Sequence, residues 1–463
     1  MKKFYQIRCK AHDLNISLHL MLIPILMLFL TANYSFAQNW SQLGTGTNNQ
    51  VRALTVYNNE LIAAGSFSLA GSTIVNRIAR WNGSTWTGMG LGLNDEAYAL
   101  AVYNGELVVA GRFTTVGGIT VNHIATWNGS MWSALNMGMD GNVYALAVYN
   151  GNLYAGGDFN TAGGIIVNRI AKWDGYSWES LYGGASNTIY ALITYNNALF
   201  AGGNFNTIGG MSSKKIARWN DTTWSSLGIG IDNGTVYALT TYSNGLVAAG
   251  TFTTIGGVTV NRVAKWDGYN WSLIGSGING TVYTLYGVSN YLYAGGNFTI
   301  AGGNFTSEIA RWNGTTWYPC GTGIGPTWNS EVRALSFYSG YLIVGGSFTS
   351  AGGINASNIA KWGQLTEIRN ANKSVPKEYV LFQNYPNPFN PETNIKFDIP
   401  RQSMVSLTVY DATGKQVAIL VNKEMQAGSY EYIWDAKALP SGIYFYRLIA
   451  GDFTQVKKMI LVK

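Results

Sequence analysis

Cysteine, histidine and charge are all scarce in this 463-residue chain. It holds 2 Cys and 3 His, and 11% of its residues are charged. Cys9, His12 and His19 lie within the first 37 residues, so a chain cut after them keeps only Cys320 and His123. One thiol cannot close an intrachain disulfide, and one imidazole cannot supply a His-rich metal site. No His/Cys/carboxylate group has metal-ligand spacing, so neither a metal nor another cofactor is expected. Strong charge asymmetry is missing too. Residues 38–365 carry 14 Lys/Arg against 13 Asp/Glu, and residues 366–463 carry 12 against 9. Such a balance argues against a surface that tracks nucleic-acid phosphates. Past the first 37 residues no stretch reaches ~18 uninterrupted apolar residues, so the mature chain is expected to be soluble.

What is abundant is Gly (57), Tyr (29) and Trp (16), a turn-rich aromatic composition that points to an all-β fold. Seven Trp residues, Trp81, Trp127, Trp173, Trp219, Trp266, Trp312 and Trp362, recur at spacings of 46, 46, 46, 47, 46 and 50. A period of that length marks one supersecondary unit copied many times. Six of them have a second Trp five positions on, Trp86 to Trp317, but Trp362 has Glu367 there. The missing partner stands at the other end of the mature chain as Trp40. The expectation is therefore a seven-bladed β-propeller over residues 38–363, whose N-terminal strand, residues 38–46, completes the last blade.

Each unit reads as four short β-runs. Asn104-Gly105, Asn150-Gly151, Asn82-Gly83, Asp174-Gly175 and Asp267-Gly268 supply the positive φ angles of tight hairpins, which accounts for these Asp residues without catalysis. A Gly pair ends the second run at Gly156-Gly157, Gly202-Gly203, Gly295-Gly296 and Gly345-Gly346, with Ala-Gly at Ala64-Gly65, Ala110-Gly111 and Ala249-Gly250. Glycine in a strand implies close approach, here of a neighbouring strand or a Trp ring. The fuller pattern, Gly-Gly, Phe, Thr-x-x-Gly-Gly, Asn and Ile-Ala-x-Trp, resembles kelch and the delta-sixty type of bacterial propeller repeat. The resemblance implies a propeller used mainly for binding and leaves the partner open.

The two ends carry addresses. Lys2, Lys3, Arg8 and Lys10 precede an apolar run from Ile16 to Ala32 and then Ser35-Phe36-Ala37. This reads as a signal peptide, residues 1–37, with an uncleaved membrane anchor as the alternative. After a polar linker, residues 364–380, comes Leu381-Phe382-Gln383-Asn384-Tyr385-Pro386-Asn387-Pro388-Phe389-Asn390-Pro391. Tyr410 to Lys415 and Leu439 to Tyr446 follow, and the chain closes on Lys457 to Lys463. Its alternating runs predict a small Ig-like β-sandwich. The motifs resemble the type A C-terminal sorting domain of the type IX (Por) secretion system. That resemblance implies that residues 381–463 engage the secretion machinery and are then removed, the cargo being released or attached to surface lipopolysaccharide.

Catalytic residues are not evident. Asp95, Glu96, Glu106, Asp140, Asp158, Asp232, Glu308 and Glu331 sit at unequal repeat positions, and His123 takes the slot of Arg77, Arg169, Lys215 and Arg262. A binding surface is the better reading. At the start of the innermost strand the aligned residues are Arg52, Tyr98, Tyr144, Tyr190, Tyr237, Tyr283 and Arg333, an aromatic arc with a two-Arg corner, and Trp328 lies in a nearby variable loop. Such a rim could stack sugars and hold a carboxylate, or it could be inter-blade packing. The function expected is extracellular glycan or protein recognition by a monomer at the cell surface or beyond. A polysaccharide-active hydrolase or lyase using channel carboxylates is the alternative.

Overall fold

A computed structural model describes residues 40–462 except 289, 326–329, 365–367, 373–375, 377, 426 and 437–438. The expected signal peptide and Trp328 fall outside the described residues. The described chain is all-β. The first repeat shows how each unit is built. β1 (Trp40–Gln42) is followed by β2 (Val51–Tyr57), β3 (Glu60–Gly65), the small hairpin β4 (Leu69–Ala70) and β5 (Thr73–Ile74), then β6 (Ile78–Trp81) and β7 (Trp86–Gly88). Strands β2, β3, β6 and β7 form one antiparallel sheet in that order, and the pattern recurs to give seven four-stranded sheets in a propeller-like arrangement.

The turn residues do what their types allow. Asn58 and Asn59, Asn104 and Gly105, and Asn150 and Gly151 all have positive φ, which matches the twist of a tight hairpin. At the outer turn Asp174 Oδ1 accepts the N–H groups of Tyr176 and Ser177 at 2.7 and 2.8 Å. These backbone bonds hold its carboxyl below the ordinary Asp range. Asp267 is held the same way by Asn270 and Tyr269.

The seventh sheet takes β1 as its outer strand, in the order β1, Ile359–Gln364, Tyr341–Ser347, Glu331–Tyr338. Trp40 pairs with Trp362 and Ser41 with Lys361. Here the Trp rings lie 5.0 Å apart, as they do within the other six pairs, where the separations are 5.0–5.6 Å.

Each second Trp also reaches the preceding sheet. The indole N–H of Trp86 donates to Leu43 O, Trp132 to Met89 O, Trp178 to Leu135 O, Trp224 to Leu181 O, Trp271 to Leu227 O and Trp317 to Ile274 O. Trp40 makes the seventh such bond, 2.8 Å to Cys320 O across 280 residues of chain. Packing is thus the role of the paired Trp residues. Cys320 is buried in this joint, which pushes its thiol up to about 12.

The glycines at the end of the second strand have two separate causes. A Cβ on Gly157, Gly203 or Gly346 would meet the carbonyl oxygen of Asn142, Thr188 or Glu331 at 2.0, 2.2 and 2.0 Å. These carbonyls lie just before, or at the first residue of, the innermost strand of the same sheet. A Cβ on Gly156, Gly202 or Gly345 would instead strike Ile189, Val236 or Val51 of the adjacent sheet at 2.5–2.6 Å. The Trp rings cover other glycines, such as Gly163 beside Trp178 at 3.0 Å. Apolar clusters are shared between neighbouring sheets. Ile343 and Ile359 of the last sheet join Val51, Leu61, Phe67 and Trp81 of the first.

The C-terminal region is a sandwich of two four-stranded sheets. One runs Ile368–Asn372, Gly428–Asp435, Glu392–Ile399, Val380–Leu381; the other Gln416–Met425, Ser403–Asp411, Gly442–Ala450, Phe453–Leu461. Ile368–Asn372, within the stretch expected to be linker, thus pairs into the sandwich. One core of Phe397, Val405, Leu407, Trp434, Tyr446, Leu448 and Met459 fills the space between them. The opening motif has a structural reason. Asn384, 2% exposed, donates its backbone N–H to the Tyr446 hydroxyl and its side-chain amide to Thr393 Oγ1 at 2.8 Å. Phe389 then bonds the last strand on both sides, its N–H to Ile460 O and its carbonyl to Val462 N–H.

Candidate functional site

The innermost strand of every sheet contains a register shift against the second strand, and the residue left over is the same one each time. The shifts fall between Val51 and Ala53, Ala97 and Ala99, Val143 and Ala145, Ile189 and Ala191, Val236 and Ala238, Val282 and Thr284, and Val332 and Ala334. A bulge frees one residue from the ladder and re-aims its side chain. The freed residues are Arg52, Tyr98, Tyr144, Tyr190, Tyr237, Tyr283 and Arg333, and together they line a single pocket of about 320 Å³. All seven are half-buried. The structure brings together every described residue singled out from the repeat register; Trp328 is not among the described residues.

The seven form a continuous stack. Tyr98 to Tyr144, Tyr144 to Tyr190, Tyr190 to Tyr237 and Tyr237 to Tyr283 have ring centroids 5.1–5.6 Å apart. The guanidinium carbon of Arg333 lies 3.6 Å from the Tyr283 ring centroid, and that of Arg52 lies 5.3 Å from Tyr98. Cation–π contact therefore caps both ends of the aromatic arc.

A carboxylate stands beside each arginine. Arg333 Nη2 sits 2.8 Å from Glu331 Oε2, and Arg52 Nε lies 3.5 Å from Glu96 Oε2. The Gln50 side-chain amide donates to the other oxygen of Glu331, which ties the first sheet to the last. Tyr98 donates its hydroxyl to Glu96 at 2.9 Å, and Tyr144 donates to Asp158 at 3.1 Å. Burial, with the Glu96 bond behind it, pushes the Tyr98 phenol up to about 12, and burial beside Asp158 raises Tyr144 as well. Both are neutral donors at any physiological pH.

This outer rim was missed in the sequence. It occupies the register position two residues before the ring: Gln50, Glu96, Asn142, Thr188, Thr235, Thr281 and Glu331. The column looks like drift until the bulge places it beside the ring. Of the carboxylates weighed for hydrolysis, Glu96 and Glu331 reach the rim, each beside an arginine, and Asp158 reaches it through Asn142 and Tyr144. Asp95 is instead spent on Arg112 at 2.8 Å, and Asp140 accepts the backbone N–H groups of Asn160 and Thr161. His123 stands apart from the pocket, half-buried, with Nδ1 3.2 Å from Gly111 O. Among the described residues no group of three or more His, Cys, Asp or Glu could hold a metal ion.

Basic residues that precede the first Trp of a repeat contact Tyr or acid. Lys361 lies 4.4 Å from the Tyr341 ring and Arg311 5.3 Å from Tyr291, while Arg80 and Lys172 pair with Glu60 and Glu179.

Comparison with known proteins separates the two regions. Residues 383–463 match the family described as the secretion system C-terminal sorting domain. No curated protein matches the chain. One solved structure it resembles is PorZ, described as an essential bacterial surface component of the type-IX secretion system of human oral-microbiomic Porphyromonas gingivalis. The identity is 15% over 91% of this chain and 61% of that one, with a TM-score of 0.44. A structural-genomics protein of unknown function from Bacteroides thetaiotaomicron gives 10% identity, 70% and 72% coverage, and a TM-score of 0.36. The chain spans about three-fifths of the PorZ chain, and at such scores neither likeness carries a conclusion about this protein. The sorting domain does carry one: the chain bears a type IX secretion tail and is delivered to the cell surface or beyond it.

Proposed function

We propose that residues 38–363 form a closed seven-bladed β-propeller of kelch-like repeats that recognises an extracellular glycan or protein at its axial mouth. In this reading residues 1–37 are a signal peptide, and residues 364–380 join the propeller to the sandwich, with Ile368–Asn372 pairing into the sandwich. Residues 381–463 hand the chain to the type IX machinery, after which the propeller acts as a monomer, released or attached to lipopolysaccharide. The observation that carries the reading is the bulge repeated in all seven sheets. A ladder needs no bulge for packing, and each one costs pairing at the same height. Seven of them turn Arg52, the five tyrosines and Arg333 into one concave, aromatic, half-exposed site, which is the form small-ligand sites take.

The hydrolase or lyase alternative draws less support. It needs a carboxylic acid free to transfer a proton and a second carboxylate across the bond. All three carboxylates at the mouth instead accept from donors already in place: Glu96 and Glu331 stand beside arginine and take Tyr98 and Gln50 as further donors, and Asp158 accepts from Asn142 and Tyr144. Screening the mature protein on glycan and surface-protein arrays, beside a variant with Arg52→Ala and Arg333→Ala, tests the proposal. Binding that falls at least tenfold in the variant supports the axial site, and binding that does not change rejects it.

A further inference from the structure

Resting on that axial site, we infer that its ligand is an uncharged, hydroxyl-rich saccharide end group, and that the Arg pair serves as a charge-neutral wall. The charges around the mouth decide this. Arg52 and Arg333 contribute two positive charges, and Glu96 and Glu331 cancel them at 3.5 and 2.8 Å. Asp158 adds a carboxylate on the aromatic side, where it accepts the Asn142 backbone N–H, the Asn142 amide and the Tyr144 hydroxyl. A uronate or sialate entering here meets a carboxylate surplus, and at each guanidinium it competes with a carboxylate already in place. The guanidinium faces are also in use, since Arg333 lies 3.6 Å from the Tyr283 ring centroid.

What remains for a ligand is neutral. The phenols of Tyr98 and Tyr144 stay protonated because burial raises them. The rest of the rim is Asn142, Thr188, Thr235 and Thr281. The Tyr98 and Tyr144 oxygens accept, their own O–H groups being given to Glu96 and Asp158, and the threonines donate and accept with sugar hydroxyls, while the tyrosine arc offers apolar ring surface for the sugar's C–H face. The pocket's 320 Å³ is near the lower bound of ligand sites, ~300–1,000 Å³, which fits a chain end better than a chain interior.

The test uses the mature full-length protein on an array with three arms: neutral oligosaccharides, oligosaccharides ending in uronate or sialate, and unglycosylated peptides. The expected result is binding to the neutral arm, at least tenfold weaker in Tyr190→Ala. Tyr190→Phe, which keeps the ring and drops the hydroxyl, is the companion if the alanine variant misfolds, and it should weaken binding severalfold. Glu96→Gln with Glu331→Gln frees both guanidiniums, so acidic sugars should gain tenfold or more, and that gain should vanish in high salt. If acidic sugars or peptides bind the unaltered protein best and lose affinity on Tyr190→Ala, the saccharide inference is overturned while the axial site stands. If binding ignores the ring substitutions, or nothing on the array binds, both fail.

Discussion

The repeat region and the C-terminal sandwich are both antiparallel β, yet they hold together differently. In the repeats the apolar residues form several clusters, each shared by two adjacent sheets and sealed by an indole bond to the sheet before. In the sandwich one cluster draws on both sheets, and a buried Asn384–Tyr446–Thr393 network fixes the opening motif to it. Stability of the first kind is local and summed along neighbours, so it depends on no joint being missing. Stability of the second kind is lost or kept as a whole. Function is divided the same way. The repeated unit, being copied, holds a site only where copies meet, whereas the sandwich carries an address in its own motifs.

Deleting residues 38–46 should have the largest effect. It removes the Trp40 bond to Cys320 and leaves the edge of Ile359–Gln364 open to pairing with another chain. Calorimetry should show loss of cooperative unfolding of the repeats, with aggregation, while the sandwich transition persists. A truncated protein that unfolds like the intact one would remove the distinction between the two regions.

Gly346→Ala sharpens it next. The added Cβ meets Glu331 O at 2.0 Å in a backbone that cannot yield cheaply. The expected cost is about 3 kcal/mol, the upper end for overpacking, read in denaturant melts of the repeats. It should also disturb the bulge at Arg333 and so weaken any ligand.

Asn384→Ala probes the other side. It removes the buried amide that donates to Thr393 Oγ1 and Pro386 O, at a cost of about 1–3 kcal/mol that should appear only in the sandwich transition. Glu308→Gln should be smallest. Burial raises the Glu308 carboxyl to about 7, so in the folded chain it ionises later than in the unfolded chain. Stability contributed at that site falls as pH rises from about 4.5 to about 7. The Gln variant should match the parent at pH 4 and melt about 1–2 °C higher at pH 8, measured by a thermal shift series.

Legibility in the sequence followed the physics of each position. Trp spacing revealed the repeat and the shared last sheet because every indole faces the same demand in every copy. The ring positions could be aligned because the period is nearly constant from Arg52 to Tyr283. The bulge could not be read, since Tyr or Arg between β-branched or small residues looks like ordinary strand. Its clearest mark was the glycine opposite, Gly65 to Gly346, whose cause is a carbonyl that only the three-dimensional pairing reveals. The pairing of Arg333 with Glu331 was two residues away in sequence and still invisible. In a regular strand such residues share a face, but only the bulge turns both toward the axis beside Gln50.

The pairing of the N-terminal strand into the last sheet is the claim on which site and stability both depend. Ser41 and Lys361 face each other in that pairing, and either kind of antiparallel pair brings Cα atoms to ~4.5–5.5 Å, within disulfide reach. Replacing them as Ser41→Cys and Lys361→Cys and oxidising the purified protein should give a bridge within one molecule, seen by mass spectrometry of the digested chain, and a higher melting temperature. Finding both thiols free, or bridges only between molecules, would contradict the account.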